Sequence, residues 1–435
     1  MSKFFRYIML INLAVLIGCS SVTPPIQLWT TTPIASPEKT ATISSPTPSL
    51  PLPTPVVSTL PTTSSVGQCI GSQQNLPTNI DGEFVLSGNY ALLVHGIQLH
   101  QSPSYILTPA TGGKLPIPLK SEDEHIDFSV SPNKKWLAYY VPKTGRNGQL
   151  ILIGNDGKTQ KTYPTVGWWG VMGWIDDDRL LISKLAAENP FTSFVFDPFK
   201  GNLEKELPPN YPGIYTGGPS MDSWGVYGLP ETVYNSDLSM VVYPKDPNNI
   251  ILWDIKAKKE IAQIKDYGPY SKAPLWLGNG KQFIINISIV EESENTYREE
   301  IMSVSTDGSI NRLTHMVDQY GSADIDEYSE SADGRFIAFW FRRVVPLSGI
   351  FQLAIYDTQT EKTKILCVNS GTYLHAPVWS PSSHQLLAAG FLENVGNLLE
   401  DADKYNYGTV FVDVDNESLS LVEKDVIPVG WMVNP

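Results

Sequence analysis

The sequence predicts an all-β fold, a β-propeller of four-stranded blades, and three observations support this prediction. The 435 residues include 34 Pro and 33 Gly together with 20 Tyr, 15 Phe and 11 Trp, a composition rich in turn and strand formers. A pattern of short strands and tight turns recurs along most of the chain. No alternation of long amphipathic helices with strands appears in the sequence, which disfavours a parallel α/β fold.

Each repeat begins with a short apolar strand, a polar turn and a second apolar or aromatic strand. The clearest copies are 128–140, 328–339 and 378–389. Turn centres recur at intervals of about 40 to 60 residues, which is typical of propeller blades. They fall near Asn89, Asn133, Asp177, Asp237, Asn279, Asp333 and Ser382. The sequence therefore predicts seven blades, with six or eight as alternatives.

The C-terminal segment 429–435 resembles one more first strand without a second half. We expect it to pair with the blade that spans 84–118, because this closes the ring and removes an exposed strand edge. The predicted propeller domain is 67–435.

The N-terminus predicts export. Lys3 and Arg6 precede an apolar run over 7–18, and Cys19 follows Gly18. The run is short for a membrane span and has the build of a signal peptide. The ending resembles the bacterial lipobox, so we predict that 1–18 is removed and Cys19 is lipidated; the alternative is an ordinary signal peptide with an incidental Cys. This places the protein outside the cytoplasm, anchored to the bacterial cell membrane or outer membrane.

A stalk follows the lipidated Cys over 19–66. Residues 20–66 contain 10 Pro, 9 Ser and 11 Thr, and only Glu38 and Lys39 are charged. Such a segment buries too little apolar surface to order itself, so we predict a disordered spacer.

The net charge of −14 makes nucleic acid an unfavourable partner. The predicted long loops all lie on one face of the ring, at roughly 119–127, 141–149, 159–172, 184–192, 202–231, 289–299, 315–327, 342–350 and 391–407. They are acidic: they hold Glu122, Asp123, Glu124, Asp127, Glu188, Glu291, Glu292, Glu294, Glu299, Asp318, Asp324, Asp326, Glu327, Glu393, Glu400, Asp401 and Asp403. Two interpretations stay open, simple solvation of the surface, or attraction of a cationic partner or Ca²⁺, with Asp324 and Asp326 as candidate binding residues.

Aromatic residues form a second candidate binding patch. The longest loop and the interblade loop before it contain Trp168, Trp169, Tyr211, Tyr215, Trp224 and Tyr227. Exposed Trp and Tyr contact proteins or stack on sugar rings. The alternative is that the loop folds back and buries them.

Cys69 and Cys367 are the two cysteines that remain beside Cys19. Two thiols in an exported chain often pair, so a disulfide between them is an open prediction. The six His are scattered without the spacing of a zinc site, and we predict no cofactor, with Ca²⁺ at the acidic loops as the open alternative.

The repeat motif, strongest at 128–140, 328–339 and 376–389, resembles the propeller repeats of the TolB family and of the N-terminal domains of dipeptidyl peptidase IV and tricorn-type proteases. The resemblance implies a propeller used for recognition. No Gly-x-Ser-x-Gly motif is present, and no catalytic residue carries over. We therefore expect a non-catalytic binding or scaffold module for a cell-envelope protein or glycan. A hydrolase or lyase that processes glycans or peptides with loop carboxylates is the alternative, and a structural envelope protein is a third.

Overall fold

The structure of the protein is a computed structural model. It describes residues 89–96, 104–108, 112–117, 128–143, 147–166, 168–186, 189–207, 232–246, 249–265, 273–289, 298–343, 350–371, 374–392 and 407–434. These residues belong to one compact unit, Thr63–Pro435. The predicted signal peptide, Cys19 and the stalk lie outside the described residues, so the predictions about them stay predictions.

The described ranges form strands and one short helix. The first strands are β1 (Tyr90–Gly96), β2 (Tyr105–Thr108), β3 (Gly113–Pro116), β4 (Ser129–Val130), β5 (Trp136–Lys143), β6 (Asn147–Gly154), β7 (Gln160–Val166), β8 (Trp168–Trp174), β9 (Leu180–Ala186) and β10 (Asn189–Asp197). They are followed by β11 (Asn202–Glu206), β12 (Val233–Tyr234), β13 (Met240–Asp246), β14 (Asn249–Asp254), β15 (Lys259–Lys265), β16 (Leu275–Trp276), β17 (Gln282–Ser288), β18 (Glu299–Ser305) and β19 (Ile310–Arg312). The last elements are α1 (Met316–Tyr320), β20 (Asp324–Glu330), β21 (Phe336–Arg342), β22 (Phe351–Asp357), β23 (Lys362–Ser370), β24 (Val378–Trp379), β25 (Gln385–Gly390), β26 (Gly408–Asp413), β27 (Ser418–Lys424) and β28 (Val426–Val433).

The strands form seven four-stranded antiparallel sheets, so the prediction of a seven-bladed propeller is confirmed. We number the blades in chain order: blade 1 is β28-β1-β2-β3, blade 2 is β4 to β7, blade 3 is β8 to β11, and so on to blade 7, β24 to β27. The first strands of neighbouring blades contact one another at most of the junctions, as in the pairs β24 and β28, β28 and β4, and β4 and β8. These strands therefore surround the axis of the ring.

The chain closes the ring as the sequence predicts. The C-terminal strand β28 pairs antiparallel with β1, with Leu92 opposite Trp431 and Tyr90 opposite Val433. The neighbouring first strands approach closely here: a Cβ at Gly430 would lie 2.6 Å from a methyl group of Val130 on β4. A side chain at position 430 would thus push the first strands of blades 1 and 2 apart.

The turn between the first and second strands repeats one hydrogen-bond pattern. In blade 2, the hydroxyl of buried Ser131 accepts the Trp136 backbone N–H at 3.0 Å and donates to Asn133 at 2.8 Å. In blade 6, Ser331 accepts from the Phe336 N–H at 2.9 Å and donates to Asp333 at 2.7 Å. The short polar side chains satisfy backbone groups locally, which is why Ser, Asn and Asp recur in these turns.

Tryptophans on first strands tie one blade to the preceding one. The Trp174 indole N–H donates to the backbone carbonyl oxygen of Ser129 at 3.0 Å. The same donor–acceptor relation joins three further pairs: Trp276 and Val233 (3.1 Å), Trp379 and Ser329 (3.2 Å), and Trp431 and Val378 (3.0 Å). The recurring Trp of the sequence motif therefore satisfies its N–H across a blade junction.

The core lies between blades and consists of apolar side chains from the facing sheets. One cluster, between blades 6 and 7, includes Trp340, Leu353 and Leu386. Another, between blades 5 and 6, includes Ile284, Ile301 and Phe341. Among the described residues, no helix has the length and apolar composition that crossing a bilayer requires.

Several predicted loop bounds are wrong. The predicted loops 141–149 and 159–172 are largely strand, because β5 extends to Lys143, β6 begins at Asn147, and only one residue separates β7 from β8. The predicted loop 315–327 contains α1 and the start of β20. In 159–172, the aromatic and β-branched residues extend the strands beyond the polar boundaries that the sequence suggested.

Candidate functional site

The two faces of the ring carry different connections. We call the face that bears the connections between second and third strands and between blades the long-loop face; the other, with the turns between first and second and between third and fourth strands, is the short-turn face. On the short-turn face the described turns are tight, such as 155–159 and 306–309, each held by an Asp side chain. Binding residues usually lie on the longer connections of a rigid scaffold, so the long-loop face is the candidate binding face.

The structure places Asp324 and Asp326 on β20, the first strand of blade 6, and the prediction that they lie in a loop is wrong. The interblade connection ends at Ala323, because the backbone of β20 pairs with β21 from Asp324 onward. Both residues nevertheless lie at the end of β20 that meets the long-loop face. Asp324 is buried and Asp326 is half-buried.

Asp324 forms an ion pair with Arg342, at the end of the neighbouring strand β21. Nε of Arg342 donates to Oδ2 of Asp324 at 2.7 Å, and Nη2 lies 2.6 Å from the same oxygen. The guanidinium also lies 4.5 Å from the ring centre of Phe351 on β22. Charge-assisted hydrogen bonds and a cation–π contact thus hold the pair rigidly.

A second buried carboxyl group approaches from blade 5. Glu299 begins β18, and its Oε2 accepts hydrogen bonds from the Ile325 backbone N–H at 2.8 Å and from the Asn286 amide at 3.2 Å. The prediction placed Glu299 in an exposed acidic loop, which is wrong: the side chain is buried between blades 5 and 6. The backbone reinforces this junction, since the Glu299 N–H donates to the Ala323 carbonyl at 2.9 Å.

The environment of Glu299 favours its neutral form. Burial, and then the nearby carboxylate of Asp324, raises the pKa of Glu299 to about 8, although the hydrogen bonds from Ile325 and Asn286 partly offset this. The described part of the long-loop face therefore places a carboxyl group whose neutral form is favoured beside an ion-paired carboxylate. We call Glu299, Asn286, Asp324 and Arg342 the interblade brace.

Asn286 is the brace residue that sequence reasoning missed. Together with Ile287 and Ser288 it matches a glycosylation acceptor pattern, which in a bacterial protein is expected to be incidental. In the structure Asn286 is fully buried and also donates to the Ile325 carbonyl oxygen at 3.2 Å. A polar residue inside the apolar run of β17 was the only signal in the sequence that could have indicated a buried partner.

The aromatic candidates fall into two groups. Trp168 and Trp169 lie on β8, the first strand of blade 3, opposite Leu185 and Lys184 of β9, so their predicted position in an interblade loop is wrong. Tyr211, Tyr215, Trp224 and Tyr227 lie outside the described residues, in the connection between blades 3 and 4. Their role as a binding patch stays a prediction.

Cys367 is buried on β23, the outer strand of blade 6, and is disulfide-bonded. Cys69 lies outside the described residues, so the pairing of Cys69 with Cys367 stays a prediction.

Metal ligands are not grouped in the described part of the chain: no set of three or more His, Cys, Asp or Glu there is arranged to hold an ion. The segment 413–417, which resembles part of a calcium loop, is the turn between β26 and β27, with the Asn416 N–H donating to Asp413 at 3.0 Å. His95 lies beside Ser104, 2.5 Å from its hydroxyl oxygen, and burial lowers the pKa of this imidazole.

No family model matches the chain, and no curated protein matches it. Among solved structures, the chain is similar to TolB from Acinetobacter baumannii, with 17% identity over 76% of this chain and 78% of that one and a TM-score of 0.42. It is also similar to the periplasmic gluconolactonase PpgL of Pseudomonas aeruginosa, with 13% identity over 80% and 99% of the two chains and a TM-score of 0.49. A third is the Cps50 (Swd1) β-propeller domain of Myceliophteria thermophila, with 13% identity over 71% and 95% and a TM-score of 0.43. At these identities and scores no function passes from any of them to this chain.

Proposed function

We propose that the protein is a lipid-anchored, extracytoplasmic binding or scaffold module that recognises a cell-envelope protein or glycan with the long-loop face of its propeller. The lipid anchor at Cys19 and the Pro/Ser/Thr-rich stalk over 19–66 give this module a tether to the membrane. The stalk composition suits a spacer that holds the ring away from the bilayer surface.

The interblade brace is the observation that carries this proposal. Its polar groups bond mainly to one another: Glu299 accepts from Asn286 and Ile325, and Asp324 accepts from Arg342. Such mutual pairing fixes the ends of β18, β20 and β21 relative to each other across a blade junction. A rigid platform of this kind suits the presentation of loops to a partner without a loss of order on binding.

The negative charge of the neighbouring loop indicates that the partner carries a basic surface. The connection between β17 and β18 contains Glu291, Glu292 and Glu294. These residues would attract a partner with a basic surface and speed its encounter with the long-loop face.

A salt titration with two charge variants tests this proposal. The mature full chain in detergent micelles is incubated with solubilised cell-envelope proteins and with purified envelope glycan, and the retained fraction is measured from about 0.05 to about 0.5 M salt. We expect retention to fall with salt and to be weakened by the combined E291Q/E292Q/E294Q substitution. The matched control D177N/D178N removes acidic side chains from a short-turn-face turn and should bind as the wild type. Retention that is insensitive to salt, or equally weakened by the control, would contradict the proposal.

One observation favours a second function, a hydrolase or lyase that acts on glycans or peptides. A carboxyl group with a pKa near 8 beside a carboxylate held by Arg342 is an arrangement that general acid–base catalysis uses. Its test is turnover of glycan and peptide substrates by the wild type, with loss of turnover in E299Q. The control is D318N, which removes an exposed carboxylate on α1 of the same junction and should retain activity.

A further inference from the structure

A histidine on the short-turn face joins blades 6 and 7. His384 lies in the turn between β24 and β25 of blade 7, and its Nε2 is 2.9 Å from Oδ2 of Asp333, in the corresponding turn of blade 6. Its Nδ1 is 2.8 Å from Oδ2 of Asp415, in the turn between β26 and β27 of blade 7. The edge of the ring also packs against Phe336, with ring centres 4.8 Å apart. One imidazole therefore contacts a carboxylate on each of two blades.

This geometry requires a particular protonation state. A neutral imidazole has one N–H and one lone pair, whereas an imidazolium has two N–H donors. A carboxylate on each side accepts from both nitrogens only when the ring carries both protons. In the neutral ring, one nitrogen lone pair would face a carboxylate oxygen and repel it.

The surroundings of His384 contain both signs of charge. Asp333 and Asp415 contact the ring directly, and Arg335, beside Asp333, is paired with Asp357 at 3.1 Å on the far side. At the rim, Lys364 of blade 6 pairs with Glu417 of blade 7. Burial opposes a charge on the ring, but the hydrogen bonds to Asp333 and Asp415 raise the pKa of His384 above 6.5. The two carboxylates thus outweigh the effect of burial on the ring.

A groove separates the two blades next to this contact. It encloses about 520 Å³ and is lined by Phe336, Ile355 and Leu366 of blade 6 and by Val412, Asp415 and Leu419 of blade 7. Two of these residues, Phe336 and Asp415, also touch His384. A change at His384 therefore acts directly on the walls of the groove.

We propose that His384 is a proton-controlled clamp, which holds blades 6 and 7 together across this groove while its ring carries two protons and loosens the junction when the ring loses one. The clamp is independent of the proposed binding function, since it lies on the short-turn face and involves none of the brace residues. Asp333 is the cross-blade partner, and Asp415 keeps the ring charged and oriented.

Amide hydrogen exchange of the full chain tests the clamp. Exchange is followed by mass spectrometry at about pH 6 and about pH 8.5, corrected for the intrinsic dependence of exchange on pH, in peptides that cover 329–341 and 408–419. In the wild type we expect about twofold to fivefold stronger protection of these peptides at the lower pH, the range that partly exposed ion pairs provide. In an E299Q background, in which Glu299 no longer titrates, H384N should abolish the difference. The matched control H315N removes a histidine that contacts a single carboxylate, Asp318 at 3.0 Å. This variant should retain the pH difference in protection.

An NMR titration of the wild type tests the clamp even if H384N folds poorly. The ring proton signal of His384, assigned by its loss in H384N or by its contact with Phe336, should titrate with a midpoint above 6.5. A midpoint at or below 6.5, equal protection at the two pH values, or the same pH difference in E299Q/H384N as in E299Q would each overturn the proposal.

Discussion

The brace joins blades 5 and 6 and the clamp joins blades 6 and 7, and the two junctions place their carboxyl groups in different surroundings. At each junction, carboxyl groups of the two neighbouring blades lie near one another, Glu299 near Asp324 and Asp333 and Asp415 on either side of His384. In the brace, Glu299 is buried and accepts hydrogen bonds from Asn286 and Ile325, and burial raises its pKa to about 8, which favours the neutral form. In the clamp, both carboxylates are about half exposed, and hydrogen bonds from His384 and Ser331 lower the pKa of Asp333 to about 2 despite the opposing effect of burial. Burial thus favours the neutral form of a carboxyl group that has no cationic partner among the described residues, as at Glu299, whereas Asp324 in the same brace is paired with Arg342.

The apolar contacts of both junctions should matter more than either polar contact. Trp379 stacks on Phe336 between blades 6 and 7, with ring centres 6.1 Å apart and planes at 11°. Phe341 is buried between blades 5 and 6. We expect W379A and F341A each to lower the free energy of unfolding by about 3–5 kcal/mol, measured by chemical denaturation. A loss below about 1 kcal/mol in both would show that the junctions do not depend on apolar packing.

Within the brace, two substitutions of Glu299 should differ. E299A leaves the Ile325 N–H and the Asn286 amide buried without their acceptor, so it should cost about 2–3 kcal/mol. E299Q retains an acceptor oxygen and resembles the neutral carboxyl group, so it should cost less than about 1 kcal/mol. Denaturation at pH 7 measures both. A larger cost for E299Q than for E299A would mean that Glu299 is ionised in the folded protein.

The stability of the protein should depend on pH with the same sign at both junctions. Because the pKa of Glu299 rises from 4.5 unfolded to about 8 folded, the folded state binds more protons between these values, and its contribution to stability falls as pH rises through them. His384, with its pKa raised above 6.5, also loses its contribution as pH rises. We expect a decline on the order of 4 kcal/mol between about pH 5 and about pH 8.5, measured by thermal unfolding at each pH. The decline should be smaller in E299Q and smallest in E299Q/H384N; an unchanged decline in the double variant would assign it to other groups.

The clamp should contribute least to global stability. His384 is 21% exposed and its partners Asp333 and Asp415 are 52% and 59% exposed, so solvent screens both contacts. H384N measured at about pH 6 should therefore lower the free energy of unfolding by less than about 1 kcal/mol. A loss comparable to that of E299A would show that the clamp is as buried in solution as the brace.

The same comparison shows what the sequence could predict. The blade repeat and the closure by the C-terminal strand depend on local patterns, such as the Ser and Asp of a turn and the Trp of a first strand, and these were predicted correctly. The brace and the clamp depend on contacts between blades. His384 meets Asp333 51 residues away, and Asn286 meets the Ile325 backbone 39 residues away. No local pattern specifies such pairs, which is why Glu299 was assigned to an exposed loop although it is buried.

Photo-crosslinking in intact cells tests the central claim, that the long-loop face binds the partner, most directly. A photo-reactive residue is placed at Glu291, in the connection between β17 and β18 on the long-loop face, or at Asp177, in the turn between β8 and β9 on the short-turn face. We predict a discrete crosslinked product from position 291 and none from position 177. Crosslinking from position 177 alone would contradict the claim and assign recognition to the short-turn face.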